Sequence, residues 1–289
     1  MSYNMKQVEV LNWAFSILKE HNREENVANI LLRHHLKSTQ NEFYLNMRET
    51  LDENSVNLFK EDINQHIKTG IPVQHLVGYE YFYGEKFIVN SDVLVPRPET
   101  EELVKLIMDK YKESANFKLV DLGTGSGVIA ITLAKHFKNA NVSAVDISKE
   151  ALIIAEKNAL THDILVDFYE GNFLEPLLDE EKNIDIIVSN PPYIDYLDLK
   201  VLSDTVKDFD PHQALFAENK GLAAYEEIMR QAKRLKKPAQ AIYFEIGYEQ
   251  AASIKLMFNH ILPEYNVELK QDINGRDRMI IAEHKLGGE

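Results

Sequence analysis

Along residues 118–282, short runs rich in Val, Ile, Phe and Tyr alternate with longer stretches whose apolar residues recur three and four apart, the pattern that most restricts how this chain can fold. The runs lie at 118–120, 142–145, 166–169, 184–188, 241–246, 267–270 and 279–282. Strands interleaved with helices pair in parallel, because a crossover helix returns the chain to its starting edge. An open, mostly parallel α/β sheet of these seven strands with helices on both faces is therefore expected. Ligands of such sheets bind outside the carboxyl ends of the strands, so the residues just after each run are where chemistry belongs.

The first run continues into Asp121-Leu122-Gly123-Thr124-Gly125-Ser126-Gly127 and then an apolar helical stretch at 128–134. Glycine tolerates positive φ and lets a ligand approach the main chain, so three glycines at alternate positions make a floor for something bound. A dinucleotide fingerprint needs glycine or alanine where Val128 stands, and no Gly-Lys-Ser/Thr follows to cradle a triphosphate. About twenty residues on, Asp146 ends the second run, where its carboxylate can accept hydrogen bonds from both hydroxyls of a ribose. Asn172 and Phe173 follow the third run and offer an amide edge and a ring face for adenine. Singly, a strand-end Asp caps turns and a Phe belongs to the core. In this order and spacing they describe a nucleoside site.

Asn190-Pro191-Pro192-Tyr193 follows the run 184–188. Each proline fixes φ, lacks an N–H and pushes the preceding residue into an extended conformation, which leaves a rigid hook with exposed acceptors. The Asn190 side-chain oxygen and the Pro191 carbonyl can accept the two hydrogens of a planar NH2 group, with Tyr193 packed against its plane. The same residues also describe a double-proline loop beside a core strand.

The series D-L-G-T-G-S-G, A-V-D, G-N-F and N-P-P-Y is similar to the class I S-adenosylmethionine-dependent methyltransferases, and N-P-P-Y resembles those acting on amide or amine nitrogen. Adenine, cytosine and glutamine are the acceptors this leaves. The segment Leu94-Val95-Pro96-Arg97-Pro98-Glu99-Thr100-Glu101-Glu102-Leu103 resembles the signature of the release factor glutamine methyltransferases, the PrmC/HemK family. That resemblance covers nearly the whole chain, to the closing Gly275-Arg276-Asp277-Arg278. It implies a Rossmann-like sheet, S-adenosyl-L-methionine as cofactor, and methylation of the side-chain N5 of the glutamine in the Gly-Gly-Gln motif of peptide chain release factors. The expected cofactor residues are Asp121, Gly123, Thr124, Gly125, Ser126, Gly127, Asp146, Asn172, Phe173 and Asn190; the expected catalytic residues are Asn190, Pro191, Pro192 and Tyr193. Asn172-Phe173 stands where the family usually has Asp-Trp, a departure that bears on the adenine contacts. An adenine-N6 nucleic-acid methyltransferase and a non-catalytic adapter with this fold are the alternative readings.

A net charge of -14 opposes a phosphate-backbone partner, and the densest basic cluster, Lys233, Arg234, Lys236 and Lys237, reads as a solvated helix end. Without cysteine there is neither disulfide nor thiol nucleophile, and no leader-like or bilayer-length apolar segment stands out, so a cytoplasmic protein with no membrane partner is expected. His34 and His35 are adjacent and face apart on a helix, no His-Glu-x-x-His occurs, and no metal site is expected. Ahead of the sheet, Val8, Leu11, Phe15 and Leu18, then Val56, Phe59, Ile63 and Ile67, recur at helical spacing, and Gly70 closes the second stripe. Residues 1–70 are expected to form a small helical bundle that recognises the substrate, and residues 71–95, aromatic-rich with Gly78 and Gly84, a β-hairpin linker. Residues 96–289 then hold the whole methyltransferase domain, with Gly275 to Arg278 as a polar turn between the last two strands.

Overall fold

The structure, a computed structural model, describes residues 5–179, 183–195, 197, 207 and 209–285. It contains two compact units, one up to Tyr79 that also takes in Lys207 and Phe209, and one from Glu80 onward.

The first unit is helical. Helices α1 (Gln7–Glu20), α2 (Asn26–His35), α3 (Gln40–Leu45), α4 (Glu53–Thr69) and α5 (Val73–Val77) enclose a core that includes Leu18, Leu31, Leu32, Phe59 and Ile63. The Asp52 side chain accepts the Ser55 N–H at 2.9 Å to open α4, and Gly70 at φ 76° closes it, relieving the strain a Cβ would meet in the left-handed region. The expected α1 stripe is rotated: Val10, Leu11, Ala14 and Leu18 are buried while Val8 is exposed. At about 100° per residue, Val8 lies on the far edge of the face centred between Ala14 and Leu18.

The segment 71–95, expected as a single linker, is in two pieces. Val73 and Val77 of α5 pack into the helical core, whereas β1 (Tyr79–Phe82) and β2 (Glu85–Ile88) form the hairpin. Tyr83 and Gly84 both have positive φ, 53° and 77°, as a two-residue turn matching strand twist requires. Phe82 and Phe87 are buried in the core of the α/β unit, so the hairpin is a packed part of that unit.

The α/β unit is built on a seven-stranded sheet. Strands β3 (Lys118–Leu122), β4 (Asn141–Asp146), β5 (Asp167–Glu170) and β6 (Ile186–Ser189) come first; β7 (Ile194–Asp195) and β8 (Phe216–Ala217) form a separate short parallel ladder; β9 (Ala241–Glu245), β10 (Tyr265–Gln271) and β11 (Asp277–His284) complete the sheet. Its order is β10-β11-β9-β6-β3-β4-β5, parallel except where β11 lies antiparallel between β9 and β10. Alternate residues serve opposite faces. Val120, Leu122, Ile187, Ile242 and Phe244 pack beneath the helices Ala223–Ala232 and Ala251–Ile261. Leu119, Ile186, Val188, Ala241 and Tyr243 pack beneath α6 (Pro98–Lys110) and α7 (Val128–His136). Both faces are covered, which is why the strands read as unbroken apolar runs. The chain winds outward from β3 to β5, then returns past β3 to β6 and β9, and the reversal leaves a crevice at the carboxyl ends of β3 and β6.

Candidate active site

That crevice holds a cavity of about 300 Å³. Gly123 and Gly125 enter it from β3, Asp146 from β4, Asn172 and Phe173 from β5, and Asn190 and Pro192 from β6. Gly123 and Gly125 have φ of 69° and 55°, and a Cβ at either would meet only open space, so the turn is shaped by backbone conformation and presents bare main chain. Gly127 differs: at φ 82° it begins α7, and a Cβ there would lie 3.1 Å from the Ala155 Cβ on α8 (Lys149–Thr161). It permits close packing and does not line the cavity.

Asp146 is tied at both oxygens, accepting Gly125 N–H at 2.8 Å and Ser148 N–H at 2.9 Å. Each oxygen keeps lone-pair capacity, so the carboxylate fixes the glycine turn and still faces the cavity. Burial raises its pKa against those bonds. Asp121 lies beneath the turn, fully buried and outside the cavity lining. It accepts the Thr124 hydroxyl at 2.6 Å and the Ala130 N–H at 3.3 Å, and burial pushes its pKa up to about 7. Thr124 and Ser126 are buried with it, braces of the loop that do not line the cavity. Phe173 adopts positive φ, 52°, and packs on the sheet core while lining the cavity beside Asn172.

A second cavity of about 560 Å³ adjoins the far end of the hook, lined by Tyr193, Ile194, Asp195, Tyr248, Gln250 and Arg278 among others. Asn190 and Pro192 thus face one cavity and Tyr193 the other, with Pro191 between them in the chain. The Tyr193 carbonyl accepts Gln250 Nε2 at 2.9 Å, and Gly221, at φ 75°, passes so close that a Cβ there would sit 2.0 Å from that carbonyl oxygen. Burial pushes the Tyr193 hydroxyl up to about 12.

Behind Asn190 lies a cluster that the pattern of the sequence does not reveal. Asn190 Nδ2 donates to Thr100 Oγ1 at 3.2 Å, and Thr100 Oγ1 donates to Glu245 Oε2 at 2.7 Å. Glu245 ends β9 and is fully buried. Arg97, from the same Pro-Arg-Pro-Glu-Thr segment, pairs at 2.8 Å with the buried Asp210, just before Pro211 on the cavity wall. A carboxylate inside the apolar run 241–246 was the one available signal for Glu245. The closing turn joins β10 and β11 as expected, with Asp272 accepting the Asn274 and Arg276 N–H groups; Arg278 is buried and donates both to Asp272 Oδ2 at 3.3 Å and to the Ile246 carbonyl at 3.1 Å.

Residues 100–210 match the methyltransferase small domain model and residues 9–78 match the PrmC N-terminal domain model. Release factor glutamine methyltransferases of Bacillus subtilis (strain 168) and Bacillus cereus are 42% and 40% identical to this chain, covering 95% and 96% of it and 96% and 99% of their own lengths. The chain belongs to the release factor glutamine methyltransferases. A third member, from Enterococcus faecalis, is 37% identical over 95% of this chain and 98% of its own. Among solved structures, a human methyltransferase 10 domain containing protein aligns with TM-score 0.54 at 16% identity, over 71% of this chain and 90% of that one. The ribosomal protein L11 methylase of Lactobacillus delbrueckii subsp. bulgaricus aligns with TM-score 0.50 at 21% identity, over 72% and 91%. These likenesses are of fold, a class I methyltransferase sheet.

Proposed function

We propose that this chain transfers a methyl group from S-adenosylmethionine to the side-chain nitrogen of the glutamine in the Gly-Gly-Gln motif of peptide chain release factors. The observation that carries this reading is the hook: a rigid Asn-Pro-Pro-Tyr bordering both a glycine-floored cavity and a second opening. The first cavity fits the cofactor, with bare main chain at Gly123 and Gly125, a ribose acceptor at Asp146, and the edge and ring of Asn172 and Phe173 for the base. When bound, S-adenosylmethionine supplies an electrophilic methyl group on a positively charged sulfur.

An amide nitrogen is a poor nucleophile, because its lone pair is shared with the carbonyl strongly enough to give a rotational barrier of about 18–20 kcal/mol. The chain's contribution is to orient and polarise it. With Nδ2 held by Thr100, Asn190 presents Oδ1 as an acceptor; Oδ1 and the Pro191 carbonyl take the two N–H groups and aim the nitrogen at the methyl carbon. Such orientation is worth up to about 7–11 kcal/mol in favourable cases. Tyr193 stays protonated near neutral pH, so it flanks the amide without taking its proton, which leaves to water.

The helical unit, not needed for the cofactor cavity, is assigned to gripping the release factor away from its glutamine, which raises the effective concentration of that loop at the hook. A net charge of -14 supports a protein acceptor over nucleic acid. Among the described residues no helix is long and apolar enough to cross a membrane, and a substrate that works in translation supports a cytoplasmic site of action. Incubating the enzyme with methyl-labelled S-adenosylmethionine, a release factor and duplex DNA together tests the choice: label in the protein alone is expected, and label in DNA overturns the reading.

A further inference from the structure

Among the described residues, the hydrogen bonds that lead back from Asn190 run through Thr100 to the buried Glu245 carboxylate. Thr100 Oγ1 has a single proton, and that proton goes to Glu245 Oε2 at 2.7 Å, so toward Asn190 the hydroxyl can only accept. With Glu245 ionised, this sets the Asn190 amide: its NH2 points inward to Thr100 and its Oδ1 points outward. We propose that Glu245 is a positioning residue for methyl transfer, using its charge through Thr100 and the Asn190 amide to orient Asn190 and strengthen Oδ1 as the acceptor of the substrate N–H. The inference rests on the glutamine-amide reading of the hook.

The physical basis is polarisation along a chain of hydrogen bonds. Negative charge at the inner end draws the Asn190 N–H groups, shifts electron density onto Oδ1, and thereby tightens its hold on the acceptor amide. That holds the acceptor nitrogen in line with the methyl carbon, the orientation an inert amide nitrogen needs. Glu245 touches neither methyl donor nor acceptor. The groups facing it are Thr100 and Glu99 from α6, Asn190 and Tyr193 from the hook, and Arg278 from β11; the Tyr225 hydroxyl bonds its backbone carbonyl. Burial pushes Glu245 up to about 7, with Glu99 acting in the same direction and Thr100, Arg278 and Asn190 opposing. The carboxylate therefore gains its charge as pH rises through neutrality.

The test is steady-state methylation of a release factor across about pH 5.5 to 9, a range that brackets the shifted group, with calorimetric S-adenosylmethionine binding alongside. Wild type should show an activity limb rising through about pH 7. Glu245→Gln keeps the shape and loses the charge; kcat should drop by about tenfold while KM for release factor and cofactor affinity stay close to wild type, and the limb should vanish. Thr100→Val should lower kcat in the same way and Thr100→Ser should restore both rate and limb, a pair that decides the matter if Glu245→Gln fails to fold. Wild-type kcat and an unchanged limb in folded Glu245→Gln, or equal loss in Thr100→Val and Thr100→Ser, overturns the proposal alone. A wild-type enzyme that binds S-adenosylmethionine yet leaves release factor unmethylated overturns the functional reading and this proposal with it.

Discussion

The two ends of the site are built by different means. At the cofactor end the shape is local: the Gly125 N–H donates to the Asp146 carboxylate and the Gly123 N–H to the Val145 carbonyl, across neighbouring strands. At the acceptor end it is long-range: Thr100 and Glu245, 145 residues apart, converge on Asn190. On the proposed reading, binding rests on backbone conformation and transfer on a buried side-chain network, so the two should come apart under mutation.

The largest separation is expected at Asn190. Replacing it with Ala removes the acceptor for one substrate N–H and should lower single-turnover methylation by at least about a hundredfold, the usual cost of losing one group aimed at a reacting centre. Calorimetric S-adenosylmethionine affinity should stay within a few fold. Asp146→Ala should do the reverse. The ribose bonds proposed for it would be charge-assisted, so their loss should weaken cofactor binding by about 10- to 100-fold, with kcat at saturating cofactor much less affected.

Gly221→Ala sharpens the contrast at the acceptor end. The new Cβ has no room beside the Tyr193 carbonyl, and the displaced hook should lose about tenfold in kcat with cofactor affinity kept. Unchanged kcat would show that the hook is less tightly held than its packing implies. The smallest effect concerns stability. Glu245 titrates at about 7 in the fold against an ordinary 4.5, so the folded state holds more protons between those values and the carboxylate's contribution to stability falls as pH rises across that window. Glu245→Gln lacks this loss. Urea unfolding at pH 5 and pH 8 should therefore show the variant gaining on wild type at the higher pH.

The contrast also explains what could be read from the sequence. Gly123, Gly125 and Asp146 were legible because a local backbone requirement leaves a local residue pattern. The hook was legible because proline's geometry travels with the residue. Gly127 looked like the other glycines and is not, since its need for a bare Cα comes from Ala155 on another helix. Thr100 sat unremarked inside the Pro-Arg-Pro-Glu-Thr segment, and Glu245 inside a strand run, because nothing local announces a hydrogen bond between residues so far apart. The sheet followed from period and alternation, whereas α5 was hidden by the aromatic texture that follows it, and the α1 face was misjudged because two helix faces share Leu11 and Leu18.

The most direct test of the account is peptide mapping by mass spectrometry of a release factor incubated with this enzyme and S-adenosylmethionine, beside a reaction with Asn190→Ala. The account predicts one added methyl group, on the side-chain amide of the Gly-Gly-Gln glutamine, and none with the variant. An unmodified glutamine with wild type, a methyl group at another position, or an equally methylated glutamine with Asn190→Ala would contradict it.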